Sequence, residues 1–205
     1  MAKKRYFALV SHCILNPATR VHVLGRRFCV AQRVSDYLLS KHIGIIQLPC
    51  PEFTCMGYWR NPQGRQQYDN TFFKKHCEKE LEGYVDMVVE LVNNDNTPFC
   101  FIGAQGSPTC SIYWGKHKTN RYKTESMEEL EEDREGYLKK DNTMYGVMTS
   151  VLDEMLKKNG IIMPYIEAPI KESMDSNRAK YFFQTLDKIL GIPVECINID
   201  KLELN

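Results

Sequence analysis

Three cysteines of this sequence, Cys13, Cys50 and Cys110, each stand in a turn-rich segment that follows a short apolar run. Prolines or glycines lie close to each of them and favour loops that hold a side chain in a fixed place. Three thiolates gathered without a metal would repel one another, which would raise the pKa of each. A soft metal centre stabilises the thiolate form and removes this penalty. If the three segments meet, the sequence therefore predicts a metal site.

The spacing of the cysteines bears on which metal they would bind. Structural zinc sites and ferredoxin clusters commonly use Cys-x-x-Cys pairs, and the sequence contains none. Cys50 and Cys55 are separated as in the start of the plant-type ferredoxin pattern, but Tyr58 stands where the next cysteine would be. Dispersed ligands favour a catalytic metal site with one coordination position left for a substrate. Cys55 is interpreted as a non-ligand, although a fourth ligand or a resolving thiol are alternatives.

Not every cysteine needs a chemical role. Cys29, Cys77, Cys100 and Cys196 lie in apolar-patterned segments, where a free cysteine behaves as a small buried hydrophobe. Taken singly, the three cysteines of the predicted site would fit the same description. Their shared position after apolar runs is what favours a common metal site.

The apolar runs alternate with segments of helical spacing, and this alternation predicts an α/β fold with a parallel sheet covered on both faces. Loops that leave the carboxyl ends of such a sheet gather at one edge, where ligands bind. Each of the three cysteines would lie at this edge. The predicted strands are 6–10, 43–48, 99–103, 161–166 and 194–199. The predicted helices cover 30–38, 73–89, 147–155 and a segment from Ser173 or Asp175 to a stop at Gly191.

Size and charge limit the remaining possibilities. The chain of 205 residues has 43% hydrophobic residues and a formal net charge of +1, which suits one domain and does not favour a nucleic-acid partner. The first apolar run is too short for a signal peptide or a membrane span, so we expect a cytoplasmic protein with no membrane partner. A reducing compartment favours metal binding over disulfides. The acidic stretch 125–141 is interpreted as a solvated helix, with an acidic docking surface or part of a lid as alternatives.

Three segments resemble the signatures of the thiouracil desulfurase family. They are Ser-His-Cys-Ile-Leu-Asn at 11–16, Cys-Pro-Glu at 50–52 and Gly-Ser-Pro-Thr-Cys at 106–110. Further similarity lies at 60–62, 146–149 and 159–161. The resemblance divides a single domain of residues 1–205 into a family-like core at 1–162 and a C-terminal extension at 163–205, which adds a helix and a strand.

The resemblance implies a Rossmann-like three-layer fold with a mostly parallel sheet. It implies that Cys13, Cys50 and Cys110 hold a [4Fe-4S] cluster in which one iron lacks a protein ligand. The substrate would be a small thiocarbonyl compound such as a thiolated nucleobase, whose sulfur binds the open iron. Water would replace the sulfur, and hydrogen sulfide would be released in a net hydrolytic reaction.

The same resemblance suggests roles for other residues. Glu52 would transfer protons and Ser107 would orient substrate or water, whereas a solvated carboxylate and a turn-forming serine are the plainer interpretations. Apart from the resemblance, Arg60 is predicted to bind a substrate heteroatom because of its charge and donors, with a surface loop of packed aromatics as the alternative. Asn16, also predicted to bind substrate, and His12, which would tune the cluster through hydrogen bonds, depart from the small residues expected in the first signature. Two other functions stay open: a zinc-binding structural or interaction module, and an iron-sulfur sensor without catalytic turnover.

Overall fold

The computed structural model describes residues 5–21, 31–112, 145–169 and 177–191. In this part of the chain four strands form one sheet, and every pair of neighbours is parallel. The strands are β1 (Arg5–Val10), β2 (Ile43–Gln47), β3 (Asn96–Ala104) and β4 (Tyr165–Ala168), and their order in the sheet is β2-β1-β3-β4. Helices flank the sheet, so the α/β, Rossmann-like prediction is confirmed.

The helices include both long crossover segments and short turns next to the strand ends. The crossover helices, each between two consecutive strands, are α2 (Ala31–Ser40), α5 (Thr71–Asn93) and α6 (Val147–Lys158), and α7 (Asn177–Gly191) follows β4. The short ones are α1 (His12–Leu15), a 3-10 turn (Pro17–Thr19), α3 (Pro51–Met56) and α4 (Arg65–Tyr68). Among the described helices, none is long and apolar enough to span a membrane.

Two pairs of helices pack on the sheet. Helix α5 packs against α6, and α2 contacts α7 through the Tyr37 and Phe183 rings, whose centroids are 5.5 Å apart. The Tyr37 hydroxyl also donates to Asp187 at 2.8 Å. Because parallel crossovers are right-handed, these pairs lie on opposite faces of the sheet. Buried residues of the central strands, such as Leu9 and Phe101, fill the space between the layers.

The order of the strands fixes where the loops meet. The chain passes from β1 to β2 on one side, then returns to form β3 on the other side of β1. Val10, the last residue of β1, pairs with Gln47 of β2 and Ile102 of β3, so the three strands end at nearly the same level. This reversal is the kind of switch point at which open α/β sheets form a ligand crevice.

Strand boundaries differ from the predicted ones where local geometry competes with the apolar pattern. The fourth strand was expected at 161–166, but β4 starts only at Tyr165. Ile161 N still donates to the Leu156 carbonyl at the end of α6, and Pro164 has no N–H for a ladder. In β3, the register shifts beside Pro98, because Phe7 pairs with Pro98 and Ala8 with Cys100.

Several predictions concern residues outside the described part of the chain. These are the strand at 194–199, the helix start at Ser173 or Asp175, and the acidic stretch 125–141. The boundary proposed at residue 162 does not coincide with the edge of the sheet, because β4 pairs with β3 beyond it. The organisation as one domain stays a prediction.

Candidate active site

Cys13, Cys50 and Cys110 line one pocket at the carboxyl edge of the sheet. Cys13 lies in α1 directly after β1, Cys50 immediately precedes α3 after β2, and Cys110 lies in the loop after β3. Cys50 and Cys110 are almost fully buried, at 8% and 4% exposure, and Cys13 is half-buried. The structure therefore brings together three thiols from three adjacent strand ends.

The protein environment disfavours the thiolate form of each thiol in this set. Burial is the main cause that raises the pKa of Cys13, of Cys110 and of Cys50, which reaches about 12. The neighbouring thiols raise the pKa of Cys50 and Cys110 further. Arg20 acts in the opposite direction on Cys13, and its Nε and Nη2 donate to the Cys13 carbonyl at 3.2 and 3.0 Å. Ionisation of all three thiols would therefore require additional positive charge, which a metal centre could supply.

The donor set bears on the kind of metal centre that would fit. In the described part of the chain, no three His, Cys, Asp or Glu side chains are arranged to hold a single metal ion. The three cysteines nevertheless share one pocket. A cluster of several irons is larger than a single ion, and its ligand sulfurs stand farther apart. An all-thiolate set also suits iron-sulfur chemistry. Three thiol donors in one pocket are a donor set that an iron-sulfur cluster could use, and the choice of metal belongs to the proposal below.

Glu52 is buried beside the three cysteines and accepts hydrogen bonds on both carboxylate oxygens. Its Oε1 accepts from the Thr109 hydroxyl at 2.7 Å and lies 3.5 Å from the Ser107 hydroxyl. Its Oε2 accepts from the Tyr68 hydroxyl at 3.2 Å and from Arg60 Nε at 3.4 Å. The carboxylate is therefore fixed in orientation, and its charge is compensated by Arg60. The plainer interpretation of Glu52 as a solvated carboxylate is wrong.

Arg60 lines the pocket but is bound by protein atoms. Its Nη1 donates to the Gly57 carbonyl at 3.0 Å and its Nη2 to the Thr19 carbonyl at 2.7 Å, in addition to the pair with Glu52. Its side chain is 3% exposed. These contacts indicate that Arg60 holds Glu52 and two loops in place. Its predicted contact with a substrate stays a prediction.

Asn16 is the predicted site residue that the structure does not bring to the pocket. It is exposed and is not among the described residues that line the pocket. Its Oδ1 accepts from Ala18 N at 3.2 Å and so caps the 3-10 turn. This local bond gives Asn16 a structural role, and its predicted contact with a substrate stays a prediction.

Ser107 combines a structural contact with a place at the pocket. Its hydroxyl oxygen accepts from Thr109 N at 3.3 Å and Cys110 N at 3.1 Å, as in a serine turn. The same hydroxyl lies 3.2 Å from Thr109 Oγ1. With both lone pairs of Ser107 accepting, its hydrogen is directed towards Thr109 or Glu52. Ser107 thus fixes the Cys110 loop while it faces the carboxylate.

Two glycines allow the Cys110 loop to lie close to its neighbours. A Cβ atom on Gly146 would fall within 3.0 Å of the Thr109 and Cys110 backbone, and one on Gly103 would collide with the Cys110 carbonyl. The loop is tied to both glycine segments, since Gly146 N donates to the Ser111 carbonyl at 2.8 Å and Ala104 N to the Cys110 carbonyl at 3.2 Å. The position of the Cys110 loop therefore depends on glycine at both 103 and 146.

Three residues that contact Glu52 or Cys13 were missed by sequence reasoning. Thr109 and Tyr68 contact Glu52, and Arg20 contacts Cys13. Thr109 is adjacent to Cys110 within a segment that was already of interest, so its position was a usable signal. No sequence signal identified Tyr68. It lies between polar residues in the sequence, and only the structure shows that it is 2% exposed.

The other cysteines behave largely as expected. Cys77 and Cys100 are fully buried, and burial raises the pKa of both. Cys29 and Cys196 lie outside the described residues. Cys55 is exposed on α3 and is not among the described residues that line the pocket. Its interpretation as a non-ligand stays a prediction, as does the tuning role of half-buried His12.

Comparison with known proteins agrees with the resemblance noted in the sequence. A family model described as "Putative 2-thiouracil desulfurase" matches residues 7–170. The chain is also 30% identical over 188 residues to "Uncharacterized protein MJ0003" of Methanocaldococcus jannaschii, and the alignment covers 92% of this chain and 99% of that protein. No solved structure is significantly similar to the chain. The family match spans all three pocket cysteines and Glu52, and the chain belongs to the 2-thiouracil desulfurase family.

Proposed function

We propose that this protein is a desulfidase that removes sulfur, as hydrogen sulfide, from a small thiocarbonyl compound related to a thiolated nucleobase. The observation that carries the proposal is the pocket shared by Cys13, Cys50, Cys110 and buried Glu52. Membership of a family named for thiouracil desulfuration supports the same chemistry.

We propose that the three cysteines hold a [4Fe-4S] cluster with one iron that has no protein ligand. Support comes from the donor type, since a soft thiolate set is suited to iron-sulfur chemistry and the buried thiols need charge compensation. When bound, the cluster would supply a Lewis-acidic iron that stabilises negative charge developing on the substrate sulfur.

Glu52 is the proposed proton-transfer residue. In the net reaction, the oxygen of water forms a bond to the thiocarbonyl carbon, the carbon-sulfur bond breaks, and both protons of water end on the released sulfide. A carboxylate beside the reacting carbon can take a proton from the attacking water and return it to the leaving sulfur. The donors from Thr109, Tyr68 and Arg60 keep this carboxylate oriented.

Ser107 is proposed to orient the water or the substrate. Its hydroxyl group is fixed by two backbone N–H donors and lies 3.5 Å from Glu52 Oε1. This long contact is the weakest of those that reach the carboxylate, so an incoming water or substrate atom can replace it at small cost. Such an exchange would place the reacting group between Ser107 and Glu52.

The test is anaerobic purification followed by iron and acid-labile sulfide analysis and an assay of sulfide release from 2-thiouracil. The proposal expects about four irons per chain and turnover that yields uracil. Stoichiometric zinc without iron would instead support a zinc-binding module. Iron without sulfide release from any of a panel of thiolated bases would identify a non-catalytic iron-sulfur protein and reject the proposed activity.

The remaining expectations about partners accompany this proposal. A small thiolated molecule is the proposed ligand, and the net charge of +1 with mixed acids and bases gives no support for a nucleic-acid partner. A cytoplasmic location is proposed because a reducing compartment would preserve free thiols and an oxygen-sensitive cluster.

A further inference from the structure

Two glutamines, Gln63 and Gln105, line the same pocket as the three cysteines, and both are half-buried. Gln105 is the first residue after β3, and its N–H donates to the Ala168 carbonyl at the end of β4 at 3.1 Å. Gln63 directly precedes Gly64, whose N–H donates to Gln67 Oε1 at 2.8 Å at the start of α4. The backbone at each glutamine is therefore anchored by its neighbours.

The other polar side chains of the pocket already bind the protein. Glu52, Arg60, Ser107 and Thr109 hydrogen-bond among themselves or to backbone atoms, and Arg20 donates to the Cys13 carbonyl. By contrast, neither glutamine amide hydrogen-bonds to any part of the chain that the structure describes. Among the described side chains that line the pocket, these two amides are thus available to a ligand.

The chemistry of the amides limits which ligand they would bind. Each glutamine offers two N–H donors and one carbonyl acceptor and carries no charge. The charge of Arg60 is already compensated by Glu52, so the pair does not favour an anionic ligand. A neutral ring with an N–H next to a C=O is complementary to the amides. Its N–H can donate to a glutamine C=O, and its C=O can accept from a glutamine N–H.

We propose that Gln63 and Gln105 are specificity-determining residues that bind the N–H and C=O edge of a neutral heterocyclic substrate. This inference rests on the proposed desulfidase function and narrows its substrate to thiocarbonyl rings that also carry a ring carbonyl. Sites built to hydrogen-bond a substrate group discriminate strongly against analogues that lack it.

The experiment uses the anaerobically purified, cluster-loaded protein and three chemicals. Rates are measured with 2-thiouracil, which has a ring carbonyl, and with 2-mercaptopyrimidine, which does not. Calorimetric binding of uracil, which has no sulfur, reports the polar contacts without turnover. Gln63→Met and Gln105→Met keep an unbranched side chain of similar size without its amide. Gln66→Met, on an exposed residue of α4 away from the pocket lining, is the matched control.

We expect kcat/KM of the unchanged protein to favour 2-thiouracil over 2-mercaptopyrimidine by about tenfold or more. Each pocket variant should reduce this ratio and the affinity for uracil by about three- to tenfold, as for the loss of a neutral hydrogen bond. The Gln66 variant should change neither. An equal rate with both thiones, no uracil binding by the unchanged protein, or unchanged ratios and affinities in both pocket variants would overturn the inference.

The result separates this inference from the proposed function. Sulfide release with no effect of either pocket substitution keeps the desulfidase and rejects the glutamine contacts. Uracil binding that depends on the glutamines, without sulfide release from any thione, keeps the contacts and rejects the desulfidase.

Discussion

The Thr109 hydroxyl donates to Glu52 Oε1 at 2.7 Å and lies 3.4 Å from the Cys110 sulfur. Thr109 is fully buried, and a threonine hydroxyl has a single hydrogen to donate. The proposed proton-transfer group and one proposed ligand are therefore connected through a single side chain. This connection makes Thr109 a sensitive place to test the site.

The substitution Thr109→Val should lower kcat for 2-thiouracil by about ten- to a hundredfold. Valine keeps the shape but removes the shortest hydrogen bond to Glu52, and a donor to a charged group contributes about 1.5–3 kcal/mol. Thr109→Ser, which retains the hydroxyl, should recover most of the rate. Iron content is measured alongside, and a Thr109→Val protein with full iron and an unchanged kcat would contradict the assigned role.

The substitution Glu52→Gln should leave iron bound and lower desulfuration by about a hundredfold or more, as expected for loss of a general base. It also leaves buried Arg60 without its counter-charge, which lowers the free energy of unfolding. Because Arg60 keeps its bonds to two carbonyls, we expect the loss to stay below the roughly 3–5 kcal/mol typical of a broken buried pair. Unchanged turnover in a folded, iron-loaded variant would reject Glu52 as the proton-transfer residue.

Cys13→Ala and Cys110→Ala should each lose the cluster, whereas Cys55→Ala should retain it. The first two remove thiols that line the pocket, and Cys55 is exposed and absent from the described lining. Visible absorption and iron analysis after anaerobic purification measure the outcome. Loss of iron from the Cys55 variant alone would show that the ligand set is wrong.

Gly146→Ala should destabilise the protein by about 1–3 kcal/mol, since the added methyl overlaps backbone atoms of Thr109 and Cys110. Gly83→Ala is the matched control, because a methyl there meets open space within α5 and should stabilise the helix by about 0.5–1 kcal/mol. Chemical denaturation of both variants gives the two values. Equal stability of the Gly146 variant and the unchanged protein would show that the loop is free to shift.

The metal-free protein should lose stability at alkaline pH. Burial raises the pKa of Cys50 and of Cys77 to about 12, above the value of about 8.5 for an unperturbed thiol. The unfolded chain therefore releases these protons first, so the free energy of unfolding is at its full value below pH of about 8.5 and falls as the pH rises towards 12. Urea denaturation under reducing conditions from pH 7.5 to 10.5 measures the slope.

Two comparisons control this pH experiment. Cys77→Ala removes one of the titrating thiols and should reduce the slope. The cluster-loaded protein should also show a smaller slope, because thiolate ligands have already lost their protons. A free energy of unfolding that does not change across this range in the metal-free protein would contradict the raised pKa values.

The sequence was most informative where a local pattern coincides with a structural element. Continuous apolar runs predicted β1, β2 and β3, and parallel topology predicted that Cys13, Cys50 and Cys110 would meet, which agrees with the pocket they line. Their role as cluster ligands stays a prediction. In contrast, the predicted start of β4 was too early in the sequence. Ile161 N donates to the Leu156 carbonyl at the end of α6, and the apolar pattern does not reveal this hydrogen bond.

The parts of the site that depend on long-range contacts could not be predicted. The partners of Glu52 include Tyr68 and Thr109, which lie 16 and 57 residues away along the chain. No spacing rule connects such residues, since they meet only after α3, α4 and the Cys110 loop have packed. The capping contact of Asn16 could not be predicted either, although it is local, and its proposed contact with a substrate stays a prediction.

The reversal of the chain across β1 has a consequence for biosynthesis. A nascent polypeptide exposes Cys13 and Cys50 early, but the third thiol arrives only after β3 has inserted on the opposite side of β1. Gly146, which packs against the Cys110 loop, is translated later still. Insertion of the proposed cluster would therefore follow synthesis of residues 1–146, and a product truncated before residue 110 would present only two of the three proposed ligands.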